Sequence, residues 1–173
     1  VKQENLEALS NGLHNLNRHL DNLKNKFGLN VIVAINKFST DTDAEIELLS
    51  SKLKEQGIEM SLVESHQKGS VGAIDLAEKI VKLTEKPEDF RFVYEDEESI
   101  KVKIEKVAKN IYGAESVEYS DEAIKQINKI EKMGYSKLPV CIAKTQYSFS
   151  DDAKNLECKE PFTLHVNEIL LKA

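Results

Sequence analysis

The chain has 173 residues, 40% of them hydrophobic and 31% charged, with a formal net charge of −6. That is enough apolar material for one large or two small cores, and no apolar run approaches the ~18 residues of a membrane span. Lys and Arg alternate with Glu and Asp instead of clustering, which argues against a nucleic-acid surface. Cys141 and Cys158 fit neither a disulfide framework nor a zinc knuckle, so a reducing cytoplasm is the expected setting. The first residue is Val1, not Met, and the sequence stops at Leu170-Leu171-Lys172-Ala173 without a polar taper; the expectation is a piece of a longer protein.

The elements alternate along the chain. Leu6, Leu9, Leu13, Leu16, Leu20, Leu23 and Phe27 recur at steps of three and four, predicting one long amphipathic helix ended by Gly28. The stripe resembles a coiled-coil seam, but three heptads with sparse flanking charge favour docking onto a sheet. Val31 to Ile35 is a β-branched run without a polar residue, the pattern of a central parallel strand buried on both faces. The polar stretch INKFSTDT follows. A helix is then predicted from about Asp43 to Gln56, with Thr40, Asp41 or Thr42 as its cap, Glu45 as the capping-box partner three residues after Thr42, and Gly57 as its stop. A strand at Glu59–Val63 completes a βαβ unit. The loop ESHQKGSVG, Glu64 to Gly72, leads into a helix from about Ala73 to Thr84, with Ser70 as the expected N-cap.

Lys86-Pro87-Glu88-Asp89 reads as a boundary, because Pro87 cannot continue the preceding helix. The expected division is therefore 1–86 and 87–173, an α/β class with parallel βαβ units followed by a smaller α+β segment. In the second part Ser99 caps a helix through Ile111, closed by Tyr112-Gly113, and Val117–Tyr119 is extended. Asp121 opens a helix that runs to Gly134. Leu138 to Ala143 is apolar throughout and predicts a strand, with Pro139 placing its start at an edge or bend. It ends in AKTQYSFSDD, and alternation at Phe162, Leu164 and Val166 predicts a last strand.

Three polar loops sit where strands finish, the usual location of ligands in open α/β sheets. In the first, Asn36-Lys37 is similar to the guanine-reading NKxD box, but Ser39 stands at the Asp position and no GxxxxGK[ST] loop occurs. In the second, Gly69 and Gly72 permit positive φ and close approach of backbone to a ligand, while an ordinary strand-to-helix turn explains the same residues. His14, His19, His66 and His165 lack HExxH spacing, and no protein-built metal site is expected. The third loop gathers a cation, hydroxyls, an amide and a phenol, which can orient a polar ligand; its structural reading makes Asp151 or Asp152 a cap and Phe149 a core anchor.

Taken in order, VIVAINKFSTDTDAEI after Phe27-Gly28, KGSVG with its following DLA, SI with IE, IYGA and LPVCIAKTQYSFSDD resemble the formate–tetrahydrofolate ligase family. The match runs through nearly the whole chain. The resemblance implies a cytoplasmic, usually homotetrameric enzyme of one-carbon metabolism. Such an enzyme uses ATP and Mg²⁺ to make formyl phosphate, then formylates N10 of tetrahydrofolate, with support from a monovalent cation. The family's P-loop and TMPGLP-like stretch are not in this sequence, so ATP and Mg²⁺ are expected to bind mainly outside it and the piece alone to be inactive. No catalytic residue is assigned.

The resemblance places a ring-stacking residue of the folate pocket at Phe38 and a second ring at His66, where the family typically carries Trp. Ser39, where proline is often seen, with Thr40 and Asp41 line the same loop; Lys68 and Gly69 belong to the second. Lys144, Gln146 and Tyr147 are expected to orient substrate by hydrogen bonds. The alternative from a different class is a non-catalytic binding or oligomerisation domain built on the leucine stripe, with the loops only as caps.

Overall fold

The computed structural model describes residues 3–156, 158 and 160–172. Its elements are helices and short parallel strands, the α/β class read from the sequence. The chain forms two compact units that divide between Phe90 and Arg91.

In the first unit Asn5 caps α1 (Leu6–Asp21), its side-chain oxygen accepting from the Ala8 N–H at 2.9 Å. One π turn, Asn22–Lys26, carries the helix toward Gly28, whose φ of 70° is the left-handed conformation that commonly ends helices. Strand β1 (Ile32–Asn36) pairs in parallel with β2 (Glu59–Val63), Ile32 opposite Glu59 and Asn36 opposite Val63. The crossover is α2 (Asp43–Glu55), which begins from the complete capping box expected of Thr42 and Glu45. Leu20 of α1, Leu53 of α2 and Ile58 are buried together, with Leu16, Val31, Val33, Leu49 and Met60 packed around them. The stripe of α1 thus docks within its own unit.

β1 departs from the doubly covered strand that its sequence describes. It pairs with β2 alone among the described residues, and Ala34 is exposed. Alternation sends Val31 and Val33 to the α1–α2 side. On the other face α4 (Ile74–Thr84) packs chiefly on β2, where Ser61 Oγ donates to Asp75 Oδ2 at 2.6 Å, and Ala34 stays exposed.

The loop after β2 is more structured than expected, with a single α-helical turn, α3 (Ser65–Lys68), and a 3₁₀ turn, Gly69–Ala73. Ser70 is not the cap of α4; Ala73 holds that position and no side chain caps it. A Cβ on Gly72 would lie 2.5 Å from the Glu64 carbonyl carbon. The close approach that Gly72 permits is therefore to its own chain, where the Glu64 N–H donates to the Gly72 carbonyl at 3.0 Å. Residues 86–90 fold back onto this unit. The Asn30 side chain donates to the carbonyls of Lys86 and Pro87, and Phe90 stacks with Phe27 at 6.5 Å between centroids.

In the second unit Ser99 caps α5 (Ile100–Val107), a π turn at Ala108–Tyr112 follows, and Gly113 at φ 75° ends it. Strand β3 (Ser116–Tyr119), helix α6 (Asp121–Lys132) capped by Ser120, and strand β4 (Thr163–Val166) complete it. β3 and β4 are parallel, Ser116 opposite Thr163. Ile100, Ile104, Ile127 and Ile130 form the core between α5 and α6, joined by Val117, Val140, Ile142 and Val166.

The strand expected at Leu138–Ala143 does not form a ladder. Pro139 brings no N–H, and the Tyr94 hydroxyl takes both polar groups of Val140, accepting from its N–H at 2.9 Å and donating to its carbonyl at 3.2 Å. Lys103, fully buried, donates to the carbonyls of Ser136 and Leu138, each at 3.1 Å. Side chains from earlier in the unit thus take the Leu138 carbonyl and both polar groups of Val140; Val140 and Ile142 pack against the core, while Leu138, Pro139, Cys141 and Ala143 stay exposed.

Candidate functional site

The first loop begins where the β ladder ends. The Lys37 N–H still donates to the Val63 carbonyl at 2.9 Å, and the chain then turns back. The Phe38 N–H donates to Asp41 Oδ2 at 2.8 Å, and the Asp41 N–H donates to the Phe38 carbonyl at 3.1 Å. Asp41 leads directly into the box that starts α2, where the Glu45 N–H meets Thr42 Oγ1 and the Thr42 N–H meets Glu45 Oε2, both at 3.2 Å. The other Glu45 oxygen accepts from the Asn5 N–H at 3.3 Å, tying the start of α1 to the start of α2.

This frame leaves the Phe38 ring outside the core, 53% exposed, with Ser39 and Thr40 also exposed. Phe38, Thr40 and Asp41 are among the residues that line a half-open cavity of about 700 Å³. Its walls are Leu9, Leu13 and Leu16 of α1, Ile35 at the end of β1, and Ile46 and Leu49 of α2. An apolar hollow with a few polar groups at its rim, in this size range, is the usual form of a small-molecule site. That α1 would wall it could not be read from the loop, since the two lie far apart in sequence.

His66 is exposed on α3, at the end of the neighbouring strand, and is not among the residues lining the cavity that Phe38 fronts. Lys68 Nζ lies 2.5 Å from Glu64 Oε2. That hydrogen bond, opposed by burial, holds the Glu64 carboxyl below its usual value. Gly69, at φ 61°, ends α3. The second loop is therefore braced internally, with His66 exposed.

The third loop is organised around Lys144. Its Nζ donates to the carbonyls of Thr145 at 3.1 Å and Ser150 at 3.2 Å and to that of Ser148, and it lies 4.9 Å from the centre of the Tyr112 ring. Burial pulls this ammonium below its usual value, while Cys158 and Asp151 act in the opposite direction. Phe149 and Ser150 are buried, as befits a core anchor. Asp151 caps no helix. Its Oδ2 accepts from the His165 N–H at 2.8 Å and lies 3.0 Å from His165 Nδ1. Burial pushes the Asp151 carboxyl up, but the bonds from His165 outweigh it and leave the group below its usual value. Gln146 and Tyr147 remain exposed at the tip. Tyr112, Cys158 and His165 are partners that the loop sequence alone gives no means of finding, because each comes from a separate segment.

Over residues 1–173 the chain matches the family model described as Formate–tetrahydrofolate ligase. It is 49% identical over 169 residues to the Formate–tetrahydrofolate ligase of Symbiobacterium thermophilum, a match covering 98% of this chain and 30% of that protein. The protein of the same name from Lactobacillus gasseri is 49% identical over 172 residues, with 99% and 31% covered. That from Campylobacter concisus is 47% identical over 169 residues, with 98% and 31% covered. The chain thus spans less than a third of the length of these curated relatives.

Proposed function

The chain belongs to the formate–tetrahydrofolate ligase family, and we propose that the protein carrying it activates formate with ATP as formyl phosphate and passes the formyl group to N10 of tetrahydrofolate. In this reading the loops after β1 and β2 form part of the folate pocket. Phe38 stacks on the flat pterin, His66 offers a second ring, and Ser39, Thr40, Asp41, Lys68 and Gly69 shape the surroundings. Lys144, with Gln146 and Tyr147, organises a further polar loop toward substrate. The observation that carries the reading is the Phe38 ring, apolar yet more than half exposed, fixed by its own turn at the carboxyl end of a parallel strand and fronting a hollow. Burying such a ring against a heterocycle contributes about 0.5–1.5 kcal/mol beyond the area term.

The residues present do not fit a Mg²⁺–nucleotide site. The sequence has no GxxxxGK[ST] loop, and among the described residues no group of three or more His, Cys, Asp or Glu is placed to hold a metal ion. Phosphoryl transfer depends on a phosphate cradle, so ATP and Mg²⁺ are assigned mainly to the rest of the protein, and these 173 residues are expected to be inactive alone. Formate- and folate-dependent ADP release by them would overturn that. No helix among the described residues is long and apolar enough to cross a membrane; a cytoplasmic homotetramer is proposed from the family. The pocket is tested by Phe38→Ala in the full-length protein. The KM for tetrahydrofolate should rise about tenfold or more while the KM for ATP stays within about twofold, a gap of roughly 1 kcal/mol in substrate binding. An unchanged folate KM removes the assignment.

A further inference from the structure

We infer that Asp41 is a positioning residue for Phe38, acting through the backbone of its turn and not as a ligand-contacting carboxylate. This rests on the folate reading of the same pocket.

Packing alone does not explain why Phe38 holds its place. The ring is 53% exposed and borders a half-open hollow. Bonds to the Phe38 backbone do not choose the ring's rotamer, but they fix φ/ψ and the place of its Cα and so limit where the ring can stand; a stacking platform loses affinity when it must be ordered at the moment of binding. The restraint comes from a reciprocal pair of bonds, Phe38 N–H to Asp41 Oδ2 at 2.8 Å and Asp41 N–H to the Phe38 carbonyl at 3.1 Å. A bond to an ionised acceptor is among the stronger kinds.

Asp41 is itself set on a rigid base. The next residue, Thr42, is locked into the capping box with Glu45, and Glu45 also holds the Asn5 N–H at the start of α1. The chain of restraint runs from α1 and α2 through Glu45, Thr42 and Asp41 to the Phe38 backbone. Ser39 and Thr40, between the two ends of the clasp, are exposed and supply no comparable restraint. A catalytic site gains from groups held by such supporting bonds, and loosening one by a fraction of an ångström is enough to weaken it.

The test uses the full-length protein with four variants: Asp41→Ala, Asp41→Asn, Phe38→Ala and the double variant Phe38→Ala/Asp41→Ala. Folate KM, kcat and ATP KM are measured, together with the Kd for tetrahydrofolate by calorimetry without ATP. Asp41→Ala should raise the folate KM and Kd about fivefold with kcat and ATP KM within twofold. Asp41→Asn keeps a carbonyl oxygen where Oδ2 accepts and should restore most of the loss. Adding Asp41→Ala to Phe38→Ala should change the folate Kd by less than twofold, because a residue that works only through Phe38 has nothing left to position. An Asp41→Ala effect that persists in full on the Phe38→Ala background makes Asp41 a direct contact and overturns the inference while leaving the pocket standing. A Phe38→Ala variant with unchanged folate Kd instead removes the pocket reading itself, and this inference with it. Unfolding midpoints of all four variants should agree within a few degrees; a collapse confined to Asp41→Ala that Asp41→Asn does not repair also overturns it.

Discussion

INKFSTDT and AKTQYSFSDD look alike as sequences, each a run of hydroxyls, a lysine, an aromatic and acidic residues after an apolar segment. Folded, they are opposites. The first turns its polar atoms onto its own backbone in a short clasp and leaves its phenylalanine outside, at the rim of a hollow. The second turns its phenylalanine into the core and draws its lysine over three carbonyls of the loop. What separates them is where each loop's backbone polar groups find partners. In the first, Val63 of the neighbouring strand takes the Lys37 N–H, Glu45 of α2 takes that of Thr42, and Asp41 and Phe38 close the turn between them; in the second a single lysine gathers the carbonyls of Thr145, Ser148 and Ser150.

Substituting the same residue type in the two loops tests this contrast most severely. Phe149→Ala should destabilise the second unit by about 3–4 kcal/mol, since Phe149 is a buried aromatic, read as a drop in the urea midpoint. A loss below about 1 kcal/mol would mean that the loop is not anchored in the core. Lys144→Met keeps the apolar stem but strips the ammonium from the carbonyls of Thr145, Ser148 and Ser150. It should cost about 2 kcal/mol and accelerate hydrogen exchange across residues 144–150. Unchanged exchange would show that the lysine does not organise the loop.

In the first loop the clasp's base can be weakened by Thr42→Ala, expected to cost about 1 kcal/mol through loss of the cap, with fraying of α2 visible in exchange of its first turn. A smaller effect, confined to acid, belongs to Asp151. Its folded pKa lies below the usual carboxylate value of 3.8, so its contribution is complete above that value and is lost as pH falls through the lower, folded one. Comparing wild type with Asp151→Ala, the stability gap should close as the pH falls below about 4. A gap that widens in acid would reverse the assigned sign. Phe38→Ala should have the smallest effect on stability, within about 0.5 kcal/mol, despite its large effect on folate.

Several features could be read before folding because their causes are local. Thr42 and Glu45 stand three apart and make their box without help from elsewhere, and Ser99, Gly28 and Gly113 begin or end helices through their own side chains or φ. The stripe of α1 also announced a docked helix, and Phe149 a core residue. Where the cause was distant, local pattern was not enough. Leu138–Ala143 has the composition of a strand, yet Tyr94 and Lys103 already occupy its backbone. Ser70 has the chemistry of a cap but stands inside a 3₁₀ turn that precedes the helix.

By itself the sequence determined the α/β class, most of its helices and the caps at Thr42 and Ser99, set by periodicity and by residues within a turn of one another; the family showed in the order of its motifs along the chain. Only the tertiary structure decided which polar side chains stay available at strand ends, that α1 walls the hollow beside Phe38, and that Lys144 turns inward. The physical reason is that hydrogen bonds at loops are completed by whatever group arrives from another segment, and the backbone's demand for partners is met first.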